Sequence, residues 1–467
     1  MMRPSTEAAT LALFGMEPAV SKRLVFTSTR KSDTSGSMSR SGRLPGAPFR
    51  ANSSIACTAG CDLETIGPAV QARAALCYND RRGSTAAKPQ AANTVWIHPA
   101  SFILHPYTSM PDRPEFLFVT CQVGAAGALK EELGRRLPGC RLAFSRPGFL
   151  TFKLPEGHRL PAAVDLQLVF ARAYGFSLGK AAGSSLDELA QAAWQVYGAR
   201  PFRRIHAWQR DLAEPGEHGF EPSITPAALE AHAALLRHCP RPEKLAAEAG
   251  DLLRPARRGD FVFDCVLVEA DQWWIGHHRV SSVASCWPGG MNRLELPAHA
   301  VSRTWLKMEE ALRWSQLPIP RGARVAEIGS APGGASQALL ARGFIVTGID
   351  PAAMDAAVLE HPHFTHIRRR STQVRRREFR KIRWLTADMN VAPNYTLDAV
   401  EGIVTHPEVH IRGLLLTLKL PQWKLAAHIP EYLDRIRGWG YNLVSARQLQ
   451  HNRLEICVAA LQKPFRK

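Results

Sequence analysis

The sequence predicts an α/β protein: a Rossmann-like, doubly wound unit over the last third of the chain, preceded by smaller α+β units and a disordered basic extension. Three observations carry this. From Ser302 onward, apolar runs of strand length alternate with helical periods, the signature of a largely parallel sheet covered on both faces. A buried-type strand at Arg324–Ile328 runs directly into a glycine-rich turn and a helix. Between Pro114 and Gly183, short apolar strands and two helices follow one another in the order of a ferredoxin-like module.

The chain has 467 residues, enough for two or three domains. Residues 1–113 are rich in Ser, Ala, Arg, Gly and Pro and show no sustained period, so they are expected to be a disordered basic extension, with a natural start for the folded protein at Met110. Cys57 and Cys61 lie four apart, but no second Cys/His pair follows at zinc-ligand spacing, so no metal site is expected. In 114–184 strands are expected at Phe116–Cys121, Arg141–Phe144, Phe149–Leu154 and Ala173–Leu178, with helices at Ala125–Leu137 and Leu160–Leu168. Residues 185–300 read as a second α+β unit, with a helix at Leu186–Val196, a strand at Phe202–Trp208, two further helices, and strands at Phe261–Glu269 and Gln272–His278. Residues 301–467 form the third unit. Its helices are expected at Ser302–Trp314 and Ser336–Arg342. Its strands are expected at Arg324–Ile328, Phe344–Ile349, Phe364–Ile367, Trp384–Ala387, Gly413–Lys419, Asn442–Ala446 and Glu455–Leu461.

Lys and Arg number 59 against 41 Asp and Glu, a formal charge of +18 that favours a polyanionic partner such as nucleic acid. No apolar run reaches the length of a membrane-spanning helix, and the nine cysteines show no disulfide rhythm, which suits a reducing cytoplasm. The stretch Arg368–Arg383 holds nine basic residues against the single acidic Glu378; Arg368, Arg369, Arg375, Arg376 and Arg377 are its candidate phosphate contacts. Arg203, Arg204, Trp208 and Arg210 could form a second basic–aromatic surface, or an ordinary amphipathic strand.

The turn reads Glu327-Ile328-Gly329-Ser330-Ala331-Pro332-Gly333-Gly334. Glycines after a strand let a ligand approach the main chain. A dinucleotide site would want three glycines at GxGxxG spacing, which Pro332 interrupts, so a nicotinamide-dependent dehydrogenase is disfavoured and a ligand without a pyrophosphate, such as S-adenosylmethionine, is preferred. Asp350, closing the next strand, can accept hydrogen bonds from two ribose hydroxyls, and Glu327 can pair with an ammonium group.

Ser302-Arg303-Thr304-Trp305-Leu306-Lys307, Asp388-Met389, Leu418-Lys419-Leu420-Pro421 and Asn452-Arg453-Leu454-Glu455-Ile456 frame this turn. Together these segments resemble the FtsJ-like ribose 2′-O-methyltransferases, whose pattern is Lys, Asp, Lys, Glu around an APGG-type turn, and among them the RlmM-type large-subunit rRNA cytidine 2′-O-methyltransferases with an N-terminal THUMP-like region. The resemblance is specific over 302–463, looser over 114–300 and absent before about 110. It implies an S-adenosylmethionine-dependent methyltransferase domain at 301–467 and a THUMP-like RNA-binding unit at 185–300. The implied cofactor contacts are Ser302, Glu327, Gly329, Ser330, Ala331, Pro332, Gly333, Gly334, Asp350 and Asp388. The implied catalytic set is Lys307, Asp388, Lys419 and Glu455. Lys419 would accept the proton of the ribose 2′-hydroxyl, Lys307 would orient that hydroxyl and depress the pKa of Lys419, Asp388 would fix the lysines, and Glu455 would hold the outer end. Glu455 can share the site only if its strand runs antiparallel. The implied substrate is 23S rRNA, naked or partly assembled. Two positions depart from the pattern: Arg370 stands where an acidic residue would face the adenine, and Ala335 where an aromatic often follows the turn. They leave open an alternative, a catalytically weak RNA-binding protein.

Overall fold

A computed structural model describes residues 114–158 and 160–462. The expected extension, with Cys57 and Cys61, lies outside the described residues, as does Arg159. Two seven-stranded sheets make up the structure.

The first sheet uses β1 (Phe116–Thr120), β2 (Arg141–Arg146), β3 (Phe149–Lys153), β4 (Ala173–Ala182), β5 (Arg204–Gln209), β6 (Phe261–Glu269) and β7 (Gln272–Arg279), in the order β2-β3-β1-β4-β7-β6-β5. Helices α1 (Ala126–Arg136), α2 (Leu186–Tyr197) and α3 (Pro226–Arg237) accompany it. Its first four strands are antiparallel in ferredoxin-like order. The strands expected in two separate units lie in this one sheet, because β4 pairs along its length with β7.

The helix expected at Leu160–Leu168 does not form. Gln167 has a φ of 48°, the Leu166 N–H donates to the Tyr174 hydroxyl at 2.9 Å and the Gln167 N–H to Asp165 Oδ1 at 3.1 Å, and just beyond, Val169 and Phe170 donate to the buried Glu132 carboxylate. The basic–aromatic surface is also absent. Arg204 and Trp208 are buried, with Arg204 donating to the carbonyls of Glu248 and Pro255, so an outward-facing reading of that strand is overturned by its burial between helices and sheet.

The second sheet is built from α4 (Thr304–Ser315), β8 (Arg324–Ile328), α5 (Gly334–Ala341), β9 (Ile345–Ile349), α6 (Ala356–Leu359), β10 (Phe364–Ile367), β11 (Trp384–Asp388), α7 (Pro393–Val404), β12 (Gly413–Lys419), α8 (Ile429–Gly438), β13 (Leu443–Arg447) and β14 (Glu455–Leu461). The strand order is β10-β9-β8-β11-β12-β14-β13, with β8 to β12 parallel and β14 antiparallel to both its neighbours. This is a Rossmann-like doubly wound arrangement in which the order of the strands reverses between β8 and β11. Ligands bind such sheets beyond the carboxyl ends of the strands at that switch.

One apolar core runs from the α1 side of the first sheet into the α7–α8 side of the second, with the Phe170 ring meeting Trp423 edge-on at 6.0 Å. The α2–α3 face of the first sheet has its own core around Trp194, Tyr197, Phe263 and Trp273. Among the described residues no helix is long and apolar enough to cross a membrane.

Candidate active site

The residues singled out around the turn meet at the carboxyl edge of the second sheet. The antiparallel course of β14 makes Lys419 and Glu455 direct register partners across the β12–β14 pair. From there a chain of alternating charge extends both ways. Lys419 Nζ lies 2.7 Å from Asp388 Oδ1 and donates to Glu455 Oε2, and Lys307 Nζ lies 2.5 Å from Glu455 Oε1. Asn452 Nδ2 donates to Glu455 Oε1 at 3.2 Å. Two ammonium groups and two carboxylates thus neutralise one another at a site where Glu455 is buried and the other three are partly buried.

Electrostatics here correct one expectation. Burial alone lowers the Lys419 pKa, but the carboxylates of Asp388 and Glu455 outweigh it and hold the ammonium above its ordinary value. The pKa of Lys419 is therefore not depressed by Lys307, whose charge is taken up by Glu455. Burial likewise pushes the Glu455 carboxyl up, and the two lysines overcome it and hold the group below the usual range.

The glycine turn is seated against the same cluster. Gly329 has a φ of 80°, and a Cβ there would collide with the carbonyl oxygen of Asp388, so only glycine lets the turn lie against the end of β11. A side chain at Gly334 would run into the hydroxyls of Ser302 and Thr304, which hydrogen-bond each other at 2.6 Å. Asp350 stays at the rim: Oδ2 accepts from the Ala331 N–H at 3.2 Å and Oδ1 from Ala352 at 2.8 Å, leaving lone pairs on both oxygens. Ser330 is buried with its hydroxyl against Met354 Sδ at 3.5 Å. Glu327 is buried at the tip of β8, where Ser336 donates to it; burial pushes its carboxyl up to about 8, with Asp388 and Asp350 adding to the rise.

Other residues are placed differently from expectation. The basic run is split. Arg368, Arg369 and Arg370 are exposed just beyond β10 at the carboxyl edge, with Arg368 donating to the Pro351 carbonyl. Arg376 packs near Gly402 towards the end of α7, and the main chain of Arg383 joins the starts of β8 and β12, so the run crosses towards the far edge of the sheet. Ala335, directly after the turn, is buried in the α4–α5 core.

Sequence reasoning missed Glu310. One helical turn after Lys307, it is buried and accepts the backbone N–H groups of Gln450 at 2.8 Å and His451 at 3.0 Å. It thereby fixes the loop that delivers Asn452 and Glu455 to Lys307. The adjacent pair Glu309–Glu310 on an amphipathic helix was the available signal, but both are buried, and nothing in it told that Glu310 would hold the loop while Glu309 pairs with Arg313 and Arg342. The loop also meets the first sheet's 211–224 segment: Gln450 Nε2 donates to the Pro222 carbonyl at 2.7 Å, and Glu221 pairs with Arg303 at 2.7 Å and Arg453 at 3.7 Å.

Residues 300–431 match the family model described as FtsJ-like methyltransferase. The chain is 33% identical over 180 residues to the ribosomal RNA large subunit methyltransferase M of Halorhodospira halophila, covering 37% of this chain and 51% of that relative. It is 30% identical over 237 residues to the protein of the same name from Xanthomonas euvesicatoria pv. vesicatoria, covering 47% of this chain and 67% of that relative. The chain thus spans about half the length of the first of these relatives. Among solved structures, TrmN from Thermus thermophilus aligns over 74% of this chain and 99% of its own at 15% identity, with a TM-score of 0.28.

Two outcomes follow from this geometry. Glu310→Ala strands two buried N–H donors and is expected to cost about 2–5 kcal/mol in urea unfolding, and Glu310→Gln less; an alanine variant as stable as wild type would remove the clamp. Glu327 is protonated in the fold well above the pH at which it ionises in the unfolded chain, so the folded state holds the extra proton. Its contribution to stability therefore falls as pH rises from about 4.5 towards 8. Glu327→Gln is expected to flatten that slope, and an unchanged pH profile of the unfolding midpoint would contradict the assignment.

Proposed function

The chain belongs to the ribosomal RNA large subunit methyltransferase M family, and from that premise we propose that it transfers a methyl group from S-adenosylmethionine to a ribose 2′-hydroxyl of large-subunit (23S) rRNA, at a cytidine. The observation that carries the proposal is the Lys307–Glu455–Lys419–Asp388 chain beside the glycine turn.

The turn fits this cofactor. Gly329 and Gly334 bring bare main chain to the rim, the remaining lone pairs of Asp350 suit the two ribose hydroxyls, and Glu327 offers a carboxylate to the amino group of the methionine moiety. S-adenosylmethionine supplies a methyl group already activated on a sulfonium, so the protein's work is in-line positioning and removal of one proton. Lys307 and Lys419 present donors that fix the 2′-oxygen, and Asp388 and Glu455 fix the lysines. Lys419 rests as an ammonium and becomes an acceptor when its own proton passes along the contact to Asp388 or Glu455. The 2′-hydroxyl becomes strongly acidic as its oxygen bonds to carbon, so a weak acceptor that is already in contact suffices.

For the remainder of the chain we read a ferredoxin-like module at 114–184, a THUMP-like RNA-binding unit at 185–300 and a methyltransferase domain at 301–467, acting in the cytoplasm on naked or partly assembled rRNA. The formal charge of +18 and the exposed Arg368, Arg369 and Arg370 at the rim support phosphate contact there.

Lys419→Ala is expected to abolish methyl transfer to rRNA while RNA affinity changes little; retained transfer would take Lys419 out of the mechanism, and binding without transfer by the wild type would favour an RNA-binding protein instead. Because Glu327 is protonated near pH 7, pairing with the cofactor's ammonium should expel its proton. Titration calorimetry of S-adenosylmethionine binding in buffers of different ionisation enthalpy should report up to one proton released near pH 7, and none with Glu327→Gln. A release that survives in the variant would exclude this contact.

A further inference from the structure

The first sheet carries a cluster that the proposed reaction does not use. His206 on β5 and Asp264 on β6 are register partners, and His278 on β7 lies opposite Val262, two residues from Asp264, so all three share one face of the sheet. One ligating atom from each lies within 4.8 Å of the others. His206 is 2% exposed and Asp264 0%. His278 Nδ1 sits 2.7 Å from Asp264 Oδ2, and its Nε2 sits 2.9 Å from the Ser285 carbonyl. Neither ring nitrogen of His206 has a hydrogen-bond partner, nor does Oδ1 of Asp264. Leaving such groups bare inside a protein costs roughly 1–3 kcal/mol each, and the same face opens onto a cavity of about 20 Å³, the size of a water.

The geometry points to a divalent transition-metal site of the zinc type, with a His206 nitrogen, the Asp264 carboxylate and His278 Nδ1 as ligands and a water from the cavity completing a tetrahedron. Two imidazoles and a carboxylate are a zinc-compatible donor set. The Ser285 carbonyl takes the Nε2–H of His278, the outer contact that leaves Nδ1 with its lone pair facing the metal. The metal replaces the proton shared by His278 and Asp264, and it gives His206 and Asp264 Oδ1 the partner they lack. Of the arginines lining the cavity, Arg172 is already neutralised by Asp211 at 2.5 Å. Joining β5, β6 and β7, the ion would tie together the half of the first sheet farther from β2, with the water holding its fourth position. Asp264 and His278 come from one hairpin, but His206 lies on a strand well before it, with α3 between them, which is why no short motif announces the set.

The test uses the full chain without an affinity tag, stripped by chelator and reloaded with Zn²⁺ or Co²⁺. About one equivalent of zinc by elemental analysis is expected, with the visible absorption of tetrahedral Co²⁺ and no thiolate-to-cobalt band. His206→Gln, close in shape, is expected to weaken binding at least about 100-fold, and Asp264→Asn likewise, with far-ultraviolet circular dichroism confirming that both variants fold. Zinc should raise the unfolding midpoint of the wild type and leave the variants unmoved. Substoichiometric metal after reloading, a thiolate band from the cysteines, or undiminished binding by the folded variants would each overturn the site.

Discussion

Everything at the candidate site depends on the direction of one strand. Had β14 run parallel to β12, Glu455 would open it at the amino edge of the sheet, opposite Lys419's end. Run antiparallel, it enters at the carboxyl edge, and the pairing places Glu455 beside Lys419. That single backbone register turns a carboxylate more than thirty positions away in sequence into the bridge between the lysines of α4 and β12.

The bridge explains why the four groups tolerate their surroundings. Removing an isolated carboxylate from water costs several kcal/mol, and Coulomb attraction offsets this only when the geometry is good and both oxygens find donors. Glu455 meets that condition: Lys307 and Asn452 satisfy one oxygen and Lys419 the other. The same satisfaction has a chemical consequence. A lysine held between two carboxylates is a better cation than a lysine in water, so the acceptor role proposed for it gains nothing from a lowered pKa. That proposal rests instead on contact, on the hydrogen bonds already in place to Asp388 and Glu455.

The second sheet was largely legible in the sequence, and the reason is its buried parallel strands. Each reads as a short apolar run that the flanking helices cannot imitate, so strand positions from Arg324 to Leu461 and the meeting of Lys307, Asp388, Lys419 and Glu455 followed from pattern and resemblance. The first sheet was less so. Leu160–Leu168 has helical spacing, yet its Leu166 and Gln167 N–H groups go to the Tyr174 hydroxyl and the Asp165 carboxylate rather than to helical carbonyls. Arg204 alternates like a surface residue but spends its donors on buried carbonyls. The basic run could be counted but not folded, because a segment that crosses from one edge of a sheet to the other carries no periodic signal of where it turns. Glu310 was hidden for a related reason: its partners are main-chain groups, and those have no sequence signature.

The loop at 448–452 is where the two halves of the molecule become one problem. Its main chain is held from the second sheet by Glu310 and from the first by the Val169 carbonyl, which accepts from Gln448 at 2.7 Å. Its Gln450 side chain reaches the Pro222 carbonyl, and Arg447 just before it donates to the carbonyl of Arg172 at 2.5 Å. These are short, mostly buried contacts to backbone atoms, which resist displacement far better than exposed ion pairs do. The first sheet is therefore not tethered beside the site by a free linker. It is bonded to the segment that sets Glu455, so the first sheet and the carboxylate that orders the two lysines are joined through one short stretch of chain.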